Sequence, residues 1–114
     1  MNESAWNAVL SNHKIDKVTF YRFRARYPRL HGKNARLSYH GFGGEVLAAR
    51  IYTNQGASGW GSVSTNLPEA REAAERIVGK KLTDVFSAQK GILDSTLHAL
   101  DIPLHDLAGV ILDI

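Results

Sequence analysis

Four side chains at helical spacing could bind a metal or share a proton. Asp94, His98, Asp101 and His105 stand at i, i+4, i+7 and i+11, so on one helix they would line a single side. Imidazole and carboxylate are common ligands of transition metals. The spacing argues against one shared ion, because seven residues of helix separate His98 from His105 by about 10 Å. Local Asp–His pairing, or burial against another surface, is the reading this leaves.

Three further groups carry chemical potential. Arg22, Arg24 and Arg26 alternate along one side of a strand-like segment and share it with Phe20, with Lys33 and Arg36 nearby. Cations with interleaved aromatic rings can hold phosphates and stack bases. The competing reading is the solvated face of an edge strand, where arginine discourages edge-to-edge pairing. No nucleic-acid motif accompanies the stripe, so the solvated face is favoured. His40-Gly41-Phe42-Gly43-Gly44 is rich in glycine, but a phosphate cradle needs a helix after its glycines and a strand pattern follows here. Ser62 and Ser64 have no histidine at a spacing that would activate a nucleophile.

The elements that must position these residues belong to one small domain. The chain has 114 residues, 44% hydrophobic and 22% charged, enough for a single modest core. With no cysteine, disulfides, thiolate nucleophiles and cysteine-bound zinc are excluded. No apolar run approaches the ~20 residues that cross a bilayer, and Met1-Asn2-Glu3-Ser4 does not open a signal peptide; a cytoplasmic protein with no membrane partner is expected. The net charge of +3 is uneven. Lys14, Lys17, Arg22, Arg24, Arg26, Arg29, Lys33 and Arg36 crowd one stretch that holds a single acid, Asp16, which raises the question of an anionic partner.

Periodicity places the elements. Residues 1–14 precede the fold as an N-terminal extension, either a short helix with Trp6, Val9 and Leu10 on one face or a frayed end. Lys17 to Tyr27 alternates with period two and reads as a strand, ended by Pro28. Residues 28–44 form a long irregular loop, a kind that is often functional. A second strand runs from Glu45 to Thr53. Asn54-Gln55-Gly56 turns the chain, and a third strand follows from Ala57 to about Val63. A helix starts after Thr65 or Asn66, with Pro68 and Glu69 in its first turn. Its apolar stripe is Ala70, Ala73, Ala74, Ile77 and Val78, and Gly79 stops it. Thr83 to Phe86 suits a single helical turn. From Leu93 a last helix carries the seam Leu93, Leu97, Leu100, Leu104, Leu107 and Ile111, interrupted by a kink or break at Pro103. The fold class is α+β: a three-stranded antiparallel meander followed by a small helical bundle.

This order, together with particular residues, resembles the N-terminal capping domain of the enolase superfamily, in its mandelate racemase and muconate-lactonizing enzyme group. Gly56-Ala57-Ser58-Gly59-Trp60-Gly61 is similar to that family's turn into its third strand, and Leu67-Pro68 to the start of its first helix. Ala99-Leu100-Asp101-Ile102-Pro103-Leu104-His105-Asp106-Leu107-Ala108-Gly109 is similar to its closing helix, where Ala-Leu-Asp-Ile-Ala-Leu-Trp-Asp-Leu-x-Gly is common. The likeness covers residues 15–114. It departs at Ser62 (often an acid), Pro103 (a small residue), His105 (Trp) and Val110 (Lys).

The resemblance implies a division of labour. Family members hold Mg²⁺ on acids of a separate barrel, and a barrel Lys or His abstracts a proton next to a carboxylate. A (β/α)₈ barrel takes about 250 residues and is expected to lie outside these 114. This chain is then expected to bind no cofactor, to lack catalysis of its own, and to partner the barrel of the same enzyme. Its contribution would be two loops over the barrel mouth, 28–44 and 61–66, with His31, Tyr39, His40, Phe42, Ser62 and Ser64 nearest the substrate. Two alternatives stand beside it: a stand-alone basic module for an anionic partner such as nucleic acid, and self-association through an exposed apolar surface.

Overall fold

The computed structural model describes residues 3–24 and 45–113. Strands β1 (Ile15–Arg24), β2 (Glu45–Thr53) and β3 (Ser58–Ser62) form an antiparallel sheet in the order β1-β2-β3, the expected meander. Period-two alternation divides β2 between two faces. Ala49 and Ile51 are buried toward the helices, while Arg50 and Tyr52 point outward with Trp60, Lys17 and Tyr21. The β2–β3 loop is Asn54-Gln55-Gly56, closed by a bond from the Thr53 N–H to the Ala57 carbonyl (2.9 Å). Gly56 sits at φ +85°, the left-handed position that a three-residue hairpin loop needs.

Helix α1 (Glu3–Leu10) precedes the sheet and α2 (Leu67–Ile77) follows it. The N-cap of α2 is Asn66, whose Oδ1 accepts from the Glu69 N–H (2.9 Å), with Pro68 in the first turn. Ala70, Ala73, Ala74 and Ile77 are buried. Val78 is not: the helix ends one residue early, Val78 turns extended, and Gly79 follows at φ +90°. The backbone then runs beside the start of β1, where the Ile15 N–H donates to Lys80 and the Gly79 N–H donates to Ile15 (both 2.8 Å).

The expected last helix is two helices. A 3₁₀ segment spans Ser95–Leu100 and helix α3 spans Asp101–Leu112. Pro103 is the third residue of α3, within the first turn, where a missing N–H removes no intrahelical bond. It therefore fixes where α geometry begins instead of breaking a helix already under way. Leu97, Leu100, Leu104 and Leu107 of the seam are buried, whereas Leu93 lies ahead of the helical part and is 48% exposed. Between α2 and this segment, β4 (Phe86–Ser87) and β5 (Gly91–Ile92) make a small hairpin. Two-residue strands are too short for a period to show.

One core unites these pieces. Leu10, Ile15, Ile51, Ile77, Leu82, Leu100, Leu104 and Leu107 are fully buried, each side chain contributing about 1.5–3 kcal/mol. Leu10 belongs to the segment expected to precede the fold, so α1 is part of the packed unit. Its Asn7 clasps the β4–β5 turn: Oδ1 accepts from the Ala88 N–H, and Nδ2 donates to Gln89 Oε1 (both 2.9 Å).

The tightest packing is α3 against β3. A Cβ on Gly59 would fall on the backbone N and Cα of Leu107, and one on Gly61 would meet Ile102 Cγ2 at 2.5 Å. The Trp60 N–H, at the outer edge of the sheet, donates to Asp106 Oδ2 (2.9 Å), which satisfies an edge group that would otherwise be unpaired. Gly59→Ala is expected to cost about 3 kcal/mol in urea unfolding, since backbone cannot yield to the new methyl. Gly61→Ala should cost about 1 kcal/mol or less, because Ile102 is an exposed side chain that can turn away. Asp106→Ala should cost about 1–2 kcal/mol through loss of a charge-assisted bond; an Asp106→Ala chain as stable as the parent would show that the contact contributes nothing.

Candidate functional site

The histidine–carboxylate line does not assemble. Asp94 caps the 3₁₀ segment, accepting from the Thr96 N–H (2.9 Å), and the backbone and hydroxyl bonds from Thr96 hold its carboxyl below the usual carboxylate range. His98 lies on the 3₁₀ segment, so the helical spacing that would align it with Asp101 and His105 is lost. Asp101 and His105 do pair one turn apart, Oδ1 to Nδ1 at 3.1 Å. The His105 ring meets Phe86 edge-on, centroids 4.9 Å apart, and lies over Gly91, where a Cβ would come within 3.2 Å of its Nε2. The pair therefore docks the β4–β5 hairpin on α3. Among the described residues no three His, Asp or Glu side chains converge on a metal position.

The arginine stripe is likewise divided. Arg22 falls on the face of β1 that carries Val18 and Phe20, both packed against the core. The side chain of Arg24, and Arg26 altogether, lie outside what is described. The opposite face combines aromatic rings with other cations. Lys17 Nζ is 4.7 Å and Arg50 Cζ 5.4 Å from the centre of the Tyr52 ring. Arg50 Nε donates to Ser58 Oγ (3.1 Å), and the Tyr21 and Tyr52 hydroxyls share a bond of 3.4 Å. That bond, aided by Arg50, Thr19 and Lys17, holds the Tyr52 hydroxyl below its ordinary range. Trp60, 57% exposed, lies beside Arg50 on this face.

The expected lid residues split between described and undescribed parts. His31, Tyr39, His40 and Phe42 lie outside the described residues. Ser62 ends β3, opposite Ala48, and is exposed. Ser64 donates from Oγ to the His98 carbonyl (3.2 Å), a backbone contact and not a pairing with the imidazole. The Val63 N–H is bonded to Leu47 (2.7 Å), so residues 62–66 are tied to the sheet and to the cap of α2. The two connections share a location. Arg24 pairs with Glu45 at the end of β1–β2, and Ser62 pairs with Ala48 near the same end of the sheet. The chain that enters residues 25–44 and the chain that leaves β3 therefore depart toward the same end of the sheet, on either side of β2. Sequence reasoning missed the contact between Trp60 and Asp106; the signal that could have found it is the Gly-Trp-Gly step, which permits a helix backbone to come within reach.

No helix among the described residues is long and apolar enough to cross a membrane. No family model matches the sequence, and no curated protein matches it. Solved structures do. A crystal structure of a galacturonate dehydratase variant from Geobacillus sp., complexed with Mg, superposes with a TM-score of 0.63 at 30% identity over 87% of this chain. A presumed mandelate racemase from Bordetella bronchiseptica, complexed with 2-oxoglutarate/phosphate, superposes with a TM-score of 0.54 at 18% identity over 88%. The chain spans 25% and 30% of the lengths of those two proteins. With its three-stranded antiparallel sheet followed by helices, this chain has the fold of the enolase-superfamily N-terminal domain.

Proposed function

We propose that the chain is the capping and substrate-selecting domain of a mandelate racemase/muconate-lactonizing-type enzyme, an acid-sugar dehydratase, racemase or related lyase, and that it performs no catalysis by itself. The observation that carries this reading is the common exit of the two loop connections from one end of the sheet. A surface that must close over a barrel mouth needs its covering segments on one side. The likeness to a galacturonate dehydratase supports the acid-sugar class.

In this reading the sheet locked to α3 is the frame, and residues 28–44 carry side chains that select the substrate. His31, Tyr39, His40 and Phe42 would meet the substrate, with Ser62 and Ser64 at the margin. Their work is to exclude water, to orient the substrate carboxylate and to choose among sugars. Proton abstraction next to that carboxylate, with the Mg²⁺ it requires, would belong to barrel residues. Trp60, Ile102 and Val110, each at least half exposed along the β3–α3 seam, would face the barrel. In isolation the same surface favours pairing of two copies, which sedimentation velocity reads as a mass above the monomer.

A chimera tests the reading. The matching quarter of the Geobacillus dehydratase is replaced by this chain. The chimera is expected to fold and turn over an acid sugar, and Tyr39→Phe, His40→Ala and Phe42→Ala are each expected to lower kcat/KM by about tenfold or more. A folded, active chimera indifferent to all three changes would remove the specificity role.

A further inference from the structure

The N-terminal segment meets the β2–β3 turn through one side-chain pair. His13 follows α1, and its backbone is held on both sides: its N–H donates to Leu10 (3.1 Å) and its carbonyl accepts from Leu82 (2.9 Å). Its Nδ1 lies 2.9 Å from Oγ1 of Thr53, the last residue of β2. Thr53 is only 5% exposed, a polar side chain within the apolar core.

A hydroxyl has one proton and two lone pairs. Both lone pairs of Thr53 Oγ1 are engaged, by the N–H groups of Gln55 (3.2 Å) and Ala57 (3.3 Å). What remains is the proton, and His13 Nδ1 is the acceptor beside it. Nδ1 therefore carries a lone pair, and the neutral ring holds its proton on Nε2. A second proton could enter only at Nδ1. There it would face the Thr53 donor and an oxygen with no lone pair to offer.

The surroundings act the same way. Burial lowers the pKa of His13 from its ordinary 6.5, with no opposing cause. Lys14 is next in the chain, and Lys80 and Lys81 lie on the segment paired with residues 14 and 15. The nearby carboxylate on that segment, Asp84, accepts from the Lys81 N–H (3.2 Å). Asp16 is exposed on β1. No acid among these offers itself to the imidazole.

We propose that His13 and Thr53 form a proton-sensitive latch, which holds the N-terminal segment against the β2–β3 turn while the imidazole is neutral and opens when it takes up a proton. The neighbouring ties would loosen with it. The Asn54 N–H donates to the Lys14 carbonyl, and the Lys14 N–H donates to Asn54 Oδ1, both at 2.9 Å. The sign follows from linkage. The folded value lies below the unfolded one, so the latch's stability is complete above pH 6.5. It falls as the pH drops from 6.5 through the folded value, below which no more is lost.

Long-range ¹H–¹⁵N NMR of the 114-residue chain reads both the tautomer and the titration. The Nε2–H form is expected at pH 7.5, with a midpoint below 6.5. Amide protection at Lys14, Asn54 and Gln55 is expected to fall by about tenfold or more through that midpoint. Thr53→Val should abolish the step in protection while burial keeps the midpoint below 6.5, whereas Thr53→Ser should keep both. A proton on Nδ1 at pH 7.5, or protection unchanged across the titration, overturns the latch; both are read on the unaltered chain and need no variant to fold.

Discussion

A helix can lie directly on a strand only where the strand puts no side chain between the two backbones. Gly59 provides that gap, and the Leu107 backbone fills it. Much of the described structure follows from this approach. It brings Leu104 and Leu107 into the core cluster that also holds Ala49 and Ile51 of the sheet. It puts Asp106 within reach of the Trp60 N–H at the sheet edge. It also fixes the side of α3 on which His105 meets the β4–β5 hairpin. A side chain at Gly59 would have to move a helix, not merely a neighbour, because packed interiors have little free volume.

That arrangement gives the side chains with chemical potential structural contacts in the described part. Asp94 caps, Asp101 and His105 dock a hairpin, Ser64 anchors a turn on a carbonyl, and Asp106 closes a sheet edge. Each satisfies a local group that would otherwise be left without a partner. The scaffold keeps one end of the sheet for two connections that leave it from the strands on either side of β2. Separation of a rigid frame from its connecting loops is a common way to vary specificity without disturbing a fold.

The meander, the hairpin turn and the capped α2 were legible because their signals are local. Alternation in Glu45–Thr53, a glycine at the turn and Asn66 before Pro68 each act within a few residues. The Leu97–Leu107 seam was legible in its spacing but not in its helix type, because Pro103 shifts the start of α geometry to Asp101. The line from Asp94 to His105 presumed one continuous helix and failed for that reason. Val78 continued the α2 stripe on paper, but the chain had already turned. The β4–β5 hairpin left too short a period to see. The role of α1 depended on where Leu10 would pack, a long-range matter that residues 1–14 do not encode alone. Of the candidate site, the position of the two connections was legible from element order, whereas the contact between Trp60 and Asp106 depends on a helix 46 residues away.

The central claim is that this domain shapes and covers a site whose chemistry resides elsewhere. Its most direct measurement is α-proton exchange from galacturonate in D₂O, followed by ¹H NMR with the chain present, with and without Mg²⁺. The account predicts an exchange rate equal to the protein-free background in both conditions. A rate that rises in proportion to chain concentration and is abolished by chelating the metal would contradict it.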